Sequence, residues 1–213
     1  MELEGRVVLV TGASRGIGRA VAEALVARGA VVAAAATSTD ALRDLGAAST
    51  HAFDLADPAN AIALAEAVEA AHGHVDVLVN NAGLRVDQLV THVDLETLDR
   101  SFQVNVLSPY VLSGRLAAGM AERGEGVVAN LVAPAVSPGR RGMGAYASSK
   151  AALESLTNTL RQEVGGKGVA VFGFDPGWVR TDLAPDGKEE PGPVAERLVA
   201  HILTAKGSRT PLT

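Results

Sequence analysis

Tyr146 and Lys150 are spaced so that they can act together in proton transfer. They stand four positions apart in the segment YASSK, and residues i and i+4 share one face of a helix. A lysine ammonium beside a phenol favours the phenolate, so we expect it to lower the phenol pKa from about 10 toward neutral pH. Such a phenol can exchange a proton with an oxygen whose charge changes during a reaction. Taken alone, a tyrosine and a lysine at this spacing more often form a solvated helix face.

A glycine-rich loop near the N-terminus predicts a binding site for a dinucleotide. The segment TGASRGIG joins a predicted strand to a predicted helix and contains Gly12, Gly16 and Gly18. Glycines let the backbone approach a pyrophosphate, and a helix N-terminus offers free N–H groups and partial positive charge. The alternative is a glycine-rich turn without a ligand, but the strand–turn–helix context is the one that the motif requires.

Apolar segments of strand length alternate with amphipathic segments of helix length. Strands are predicted at 6–12, 31–37, 50–55, 75–83, 125–133 and 168–177. Helices are predicted at 18–30, 40–46, 57–73, 94–124, 145–166 and 193–205, the fourth of them as one long helix or two joined ones. This alternation predicts an α/β fold, a doubly wound parallel sheet of the Rossmann type in three layers, as one domain over 1–213. The Pro-, Gly- and charge-rich segment 184–193 is expected to be a mobile surface loop, either a plain connection or a lid.

Composition argues against several classes of function. The 213 residues are 47% hydrophobic with a net charge of -5, which gives no reason to expect nucleic acid or a membrane as partner. The chain has no cysteine, and its five histidines lack ligand spacing, so no metal site is expected. There is no signal-peptide pattern and no apolar run of about 18 residues, so we expect a cytoplasmic protein.

Five motifs occur in the order found in the short-chain dehydrogenase/reductase family. They are TGASRGIG (11–18), NNAG (80–83), Asn105 in FQVNV, YASSK (146–150) and PGWVRT (176–181). Over about residues 5 to 183 the chain resembles this family, and in particular its 3-oxoacyl-carrier-protein reductases. The resemblance implies an oxidoreductase that transfers hydride between a nicotinamide and a small-molecule carbonyl or secondary alcohol. It also suggests a homodimer or homotetramer.

The resemblance implies roles for the residues at matching positions. Tyr146 corresponds to the general acid/base, Lys150 to the residue that tunes it and holds the nicotinamide ribose, and Asn105 to the anchor of a water chain. The implied cofactor contacts are Gly12, Ser14, Arg15, Gly16, Ile17, Gly18, Thr37, Ser38, Asp54, Leu55, Asn81, Ala82, Gly83, Tyr146, Lys150, Pro176, Gly177 and Thr181. For Asp54 a purely local turn or cap is an equal alternative. Trp178 is expected either to fill the core or to wall the pocket.

The end of the second strand favours NADP(H) over NAD. Members that prefer NAD place an acidic residue there for the ribose 2′-hydroxyl, whereas this chain has Ala36, Thr37 and Ser38. Hydroxyls accept a phosphate, and Arg15 in the glycine loop could supply positive charge. The alternative for Arg15 is a surface arginine with no role in binding.

One expected catalytic group is missing. The family's serine, thirteen residues before the tyrosine, is replaced by Ala133. Loss of one such hydrogen-bond donor typically costs roughly 10²–10³ in turnover. Ser137 could substitute only if the segment 134–138 folds back toward Tyr146. A second hypothesis is therefore a dinucleotide-binding protein with little or no turnover, serving as a sensor or a structural subunit.

Overall fold

The fold is a parallel six-stranded sheet between two layers of helices. The computed structural model describes residues 1–133 and 139–207. The strands are β1 Val7–Thr11, β2 Val31–Ala36, β3 Ser49–Ala52, β4 Val77–Asn80, β5 Gly126–Leu131 and β6 Val169–Phe174. The α-helices are α1 Gly16–Val26, α2 Pro58–His72, α3 Leu95–Phe102, α4 Ser108–Arg123, α5 Gly144–Val164 and α6 Pro191–Thr204. The strand order β3-β2-β1-β4-β5-β6, with every neighbouring pair parallel, confirms the predicted fold class.

Five of the described strands are largely apolar because both faces of the sheet are covered there, whereas the edge strand β3 is polar and half-exposed. Val8 and Val10 of β1 pack into a core shared with α1 and α6. Val7 and Leu9 point to the opposite core, which α2, α4 and α5 close. Successive side chains of a strand alternate between faces, so continuous burial along β1 requires two covering layers.

Several element bounds differ from the predicted ones. The predicted helix 94–124 is divided by a π-helical turn, Gln103–Leu107, which lies between α3 and α4. The predicted short helix 40–46 is a 3₁₀-helix, Asp40–Leu45. The predicted loop 184–193 ends earlier, since 191–193 form the first turn of α6. Backbone hydrogen bonds also join its first part to the chain at 178–181, while its mobility stays a prediction. A short final strand is also possible at 208–212 from the sequence, and this segment lies outside the described residues.

Two histidines that lie far apart in the sequence meet at the sheet edge. The Oγ atom of Ser49 lies 2.8 Å from Nε2 of His51 and 2.8 Å from Nε2 of His72. Burial, and then the neighbouring His72, lower the pKa of His51.

Within the described residues no group of three or more metal-ligating side chains occurs. None of the helices there combines the length and hydropathy of a membrane span.

The histidine pair predicts a pH-dependent stability. Because the pKa of folded His51 is lowered, the unfolded chain binds more protons near the ordinary value of about 6.5, so stability is full above that pH. Stability should be lost as the pH falls through the unfolded and then the folded pKa. Urea unfolding near pH 8 and near pH 5 should show a smaller loss in His51→Gln than in the native protein. His92→Gln, which alters an exposed histidine bonded to Thr91, should behave like the native protein, and an equal loss in all three would contradict the interpretation.

Candidate functional site

The turn after β1 lies directly against the turn after β4. Gly12 has φ of +66°, and a Cβ on it would lie 2.9 Å from both Cα of Ala82 and the side-chain nitrogen of Asn81. Nδ2 of Asn81 donates to the carbonyl oxygens of Thr11 at 2.9 Å and Gly12 at 3.1 Å. A Cβ on Gly18 would collide with Nδ2 of Asn81 and with the carbonyl oxygen of Gly12. The two turns therefore form a narrow cradle that requires glycine, and the N-terminal end of α1 opens onto it with unpaired N–H groups.

A cleft of about 400 Å³ runs along the edge of the sheet where the strands end. Most of the predicted cofactor residues line it: Gly12, Ser14, Arg15, Gly16, Ile17, Thr37, Asp54, Leu55, Asn81, Ala82, Gly83, Tyr146, Lys150, Pro176 and Thr181. Gly18, Ser38, Asn105 and Gly177 lie outside its wall. Ser38 accepts a hydrogen bond from the backbone N–H of Asp40, and Gly177 forms a turn with φ of +76°. The wall thus unites segments that lie far apart in the sequence.

Lys150 lies buried beside Tyr146. Its Nζ atom lies 5.9 Å from the centroid of the Tyr146 ring and donates to the carbonyl oxygen of Leu131 at 2.8 Å. Burial lowers the pKa of Lys150 to about 8. The carbonyl at the end of β5 is therefore the acceptor that anchors a buried ammonium on α5.

The pKa of Tyr146 was expected to be lowered, and this prediction is wrong because the pKa is raised in the folded protein. Burial raises the pKa of the phenol above its usual value, and the positive charge of Arg85 opposes this rise while Asp175 adds to it. The cation that lowers the phenol pKa is thus Arg85, which the motifs did not identify. Tyr146 consequently keeps its proton at neutral pH.

Asn105 fastens the loop after β4 to the centre of the site. Its Oδ1 accepts from the backbone N–H of Leu84, and its Nδ2 donates to the carbonyl oxygen of Leu84, each at 2.8 Å. The same Nδ2 donates to Oγ of Ser149 at 2.9 Å, and Ser149 donates to the carbonyl oxygen of Tyr146 at 2.8 Å. The asparagine is fully buried in the π-helical turn, which places its amide between two segments of the site. Its role as anchor of a water chain stays a prediction.

The residues Thr181 to Leu183, here the cover segment, span the cleft from one side to the other. Thr181 packs on Gly16, where an added Cβ would lie 3.2 Å from the threonine methyl group. Asp182 forms an exposed ion pair with Arg15, with Nε to Oδ2 at 3.0 Å. The carbonyl oxygen of Leu183 accepts from Nη1 of Arg85 at 2.8 Å. The cover segment is therefore attached to the glycine loop at one end and to Arg85 at the other.

The opposite part of the cleft, beyond β2, contains a second arginine. Nη2 of Arg100 lies 3.5 Å from Oδ2 of Asp54, and both side chains line the cleft. The other oxygen of Asp54 accepts from the backbone N–H of Ala56, and the N-cap of α2 is Asp57. The local turn thus accounts for one oxygen of Asp54, and the second faces a cation.

Ala133 is half-buried at the position of the expected serine. It follows Val132, which lines the cleft and donates its backbone N–H to Phe174 at 3.0 Å. Hydroxyl groups in the described part of the cleft wall belong to Ser14, Thr37, Tyr146 and Thr181. Ser137, the suggested substitute, lies outside the described residues.

The motifs missed several residues at this site. The cleft is also lined by Ala35, Ala36, Phe53, Leu84, Arg100, Val104, Leu131, Val132, Asp182 and Leu183. Arg85 adds a charge beside it, and its position two residues after NNAG was the available signal. Arg100 offered no comparable signal, because only the packing of α3 brings it to the cleft.

Comparison with known proteins agrees with this geometry. A family model described as short chain dehydrogenase matches residues 6–191. The 3-oxoacyl-[acyl-carrier-protein] reductase of Escherichia coli is 37% identical over 188 residues, which cover 86% of this chain and 77% of the relative. A solved metagenomic short-chain oxidoreductase in complex with NADP is 33% identical, with a TM-score of 0.88 over 99% of this chain and 96% of the other. The 3-ketoacyl-(acyl-carrier-protein) reductase from Brucella melitensis complexed with NADH is 28% identical, with a TM-score of 0.85 over 94% and 91%. The resemblance inferred from the motifs is confirmed.

The buried lysine predicts an unusual stability profile. The pKa of Lys150 is about 8 in the folded protein and about 10.4 in the unfolded chain. Between these two pH values the unfolded chain binds more protons than the folded protein, so the free energy of unfolding rises with pH there. Below it the charged lysine destabilises the fold. Lys150→Met should therefore be more stable than the native protein at neutral pH by about 1–3 kcal/mol, after allowance for the lost hydrogen bond.

This difference should shrink as the pH rises from about 8 to about 10, measured by denaturant unfolding. Lys167→Met, at an exposed lysine beyond α5, serves as the control and should differ little from the native protein at any pH. A difference for Lys150→Met that stays constant across this range would contradict the lowered pKa.

Proposed function

The chain belongs to the short-chain dehydrogenase family, and we propose that it is an NADP(H)-dependent oxidoreductase acting on a carbonyl or the matching secondary alcohol. The observation that carries the proposal is the location of Tyr146 and Lys150 on the wall of the same cleft as the glycine cradle. The proposed dinucleotide site and the proposed proton-transfer pair thus lie within one concave surface. This combination is what reduction of a carbonyl requires.

The cradle residues fit a dinucleotide. Gly12 and Gly18 leave no room for side chains, so the backbone can approach a pyrophosphate, and the N-terminal end of α1 favours its negative charge. The bound nicotinamide supplies or accepts hydride. Lys150, whose pKa is about 8, is mostly charged at neutral pH and is proposed to hold the ribose.

Tyr146 is proposed as the general acid of the reduction. Because burial raises its pKa, the phenol carries its proton at neutral pH and can give it to the carbonyl oxygen as that oxygen gains negative charge. The charge of Arg85 then favours the phenolate that remains. Asn105 holds the loop at Leu84 and, through Ser149, the backbone of Tyr146. We assign it a positioning role.

Ala133 supports a second candidate function, dinucleotide binding with little or no turnover. The expected serine would donate a hydrogen bond to the substrate oxygen, and alanine cannot. Both functions need the glycine cradle, so cofactor binding alone does not distinguish them. The rate at which a carbonyl substrate is turned over does distinguish them.

Tyr146→Phe tests the proposed chemistry. NADPH oxidation with a panel of ketones and aldehydes should fall by roughly 10²–10⁴, because the variant keeps the ring but lacks the proton. Tyr110→Phe is the matched control, since Tyr110 is the other tyrosine of the chain and is exposed on α4.

Ala133→Ser should raise turnover, by up to roughly 10²–10³. Activity that appears only in Ala133→Ser would favour the binding function, and native activity that survives in Tyr146→Phe would refute the assignment of the acid.

The charges beside β2 support the choice of NADP(H). Thr37 lines the cleft where a carboxylate would select NAD, and Arg15 and Arg100 line it nearby. Arg15 is engaged with Asp182 and Arg100 lies close to Asp54, so each guanidinium has an acidic neighbour at the surface. Exposed ion pairs of this kind are weak and can be exchanged for a phosphate.

Arg15→Gln should weaken NADPH binding about ten-fold and leave NADH binding unchanged, because the lost charge-assisted bonds concern the 2′-phosphate. Asp182→Asn should strengthen NADPH binding, since it frees Arg15. Quenching of Trp178, the only tryptophan, provides the measurement. Arg43→Gln is the control, because Arg43 forms a similar exposed pair with Asp40 away from the cleft. Equal affinity of the native protein for both cofactors would overturn the preference.

A cytoplasmic location and a homodimer or homotetramer stay predictions. The exposed apolar side chains of Leu107 and Tyr110 near the start of α4 are candidates for a contact between subunits.

A further inference from the structure

Two arginine side chains lie over the ring of Trp178. The tryptophan lies after β6, between Pro176 and Thr181 of the cleft wall. The guanidinium carbon of Arg85 lies 5.6 Å from its ring centroid, and that of Arg140 lies 5.0 Å away. Neither arginine belongs to a motif that identified the family. The proton-transfer chemistry proposed above does not require two cations around an aromatic ring, so the arrangement needs another explanation.

Arg85 is the fixed member of this group. Its side chain is only 20% exposed, and Nε and Nη2 donate to the two oxygens of Asp87 at 2.9 and 2.7 Å. Nη1 donates to the carbonyl oxygen of Leu183. A guanidinium has five N–H groups, so these bonds leave one on each terminal nitrogen. Its charge also acts on Tyr146, which relates the group to the reacting end of the cleft.

Arg140 is the member with free hydrogen-bonding capacity. It is exposed, and among residues 1–133 and 139–207 no carboxylate forms an ion pair with it. Three carboxylates lie in this region: Asp87 binds Arg85, Asp175 accepts from the backbone N–H of Gly177, and Asp186 acts electrostatically on Arg85. A guanidinium over an indole ring is restrained by a cation–π contact, and its planar set of N–H groups matches the two oxygens of a carboxylate or phosphate.

We propose that the substrate is a carbonyl compound bearing a carboxylate or a phosphate, and that Arg140, stacked on Trp178, binds this anionic group. The inference rests on the proposed function of Tyr146. Arg140 is then a specificity-determining residue, and Arg85 adds positive charge between the anion and the phenol. A neutral ketone or aldehyde of the same size lacks this contact. It should be a poorer substrate mainly through a higher KM, because the contact forms in the ground state as well as in the transition state.

Paired compounds that differ only in the anionic group test the proposal. Acetoacetate is compared with methyl acetoacetate, and dihydroxyacetone phosphate with dihydroxyacetone, so that the two pairs separate a carboxylate from a phosphate. Each is titrated against Trp178 fluorescence of the full chain, and each is assayed for NADPH oxidation. At least one anion should bind about ten-fold more tightly than its neutral partner and have a correspondingly lower KM. Added salt should weaken the preference.

Arg140→Gln should abolish the preference for the anion and leave the neutral compounds unaffected. Arg141→Gln, at the exposed neighbouring arginine for which no contact with Trp178 occurs in the described residues, should retain it. Equal binding of both members in each pair, or a preference that survives in Arg140→Gln, would overturn the proposal. A binding preference without Tyr146-dependent turnover would uphold the anion site and refute the proposed function. Tyr146-dependent turnover without any preference would do the reverse.

Discussion

The parallel direction of all six strands is the constraint on which the site depends. Parallel strands end at the same edge of the sheet, so the turns after β1, β4, β5 and β6 meet there although their residues lie far apart in the chain. The contact between Gly12 and Asn81 exists only because β1 and β4 are neighbours in the sheet. The end of β5 lies at the same edge, where the carbonyl oxygen of Leu131 accepts a hydrogen bond from Lys150 on the following helix.

Burial shifts the pKa values of Lys150 and Tyr146 at that edge more than neighbouring charges do. Lys150 loses most of its hydration and keeps one carbonyl acceptor, which explains why its pKa falls to about 8. Tyr146 is driven in the opposite direction, because burial disfavours the charged form of an acid as well as that of a base. The two shifts bring the pKa of the lysine down and that of the tyrosine up, so near neutral pH the phenol keeps its proton beside a largely charged ammonium.

Local patterns in the sequence were sufficient to predict the fold class and many of the residues that line the cleft. Continuous apolar segments such as Val7–Thr11 indicate strands buried on both faces, and the helical spacing of Tyr146 and Lys150 places them together. The π-helical turn that positions Asn105 has no comparable local pattern, since it depends on how α3 and α4 pack. The direction of the Tyr146 pKa could not be inferred either, because it depends on burial in the folded protein. The contacts of Arg85 and Asp182 are set by loops that fold across the cleft.

The cover segment has a thermodynamic consequence for the whole cleft. Asp182 holds the arginine of the glycine loop, and one residue later the backbone of Leu183 holds the arginine that flanks Trp178. The Arg15 pair is exposed and therefore weak, whereas Arg85 is mostly buried and binds the backbone. The two attachments of this three-residue segment thus differ in strength, and the end at the glycine loop should be the first to detach when local structure opens.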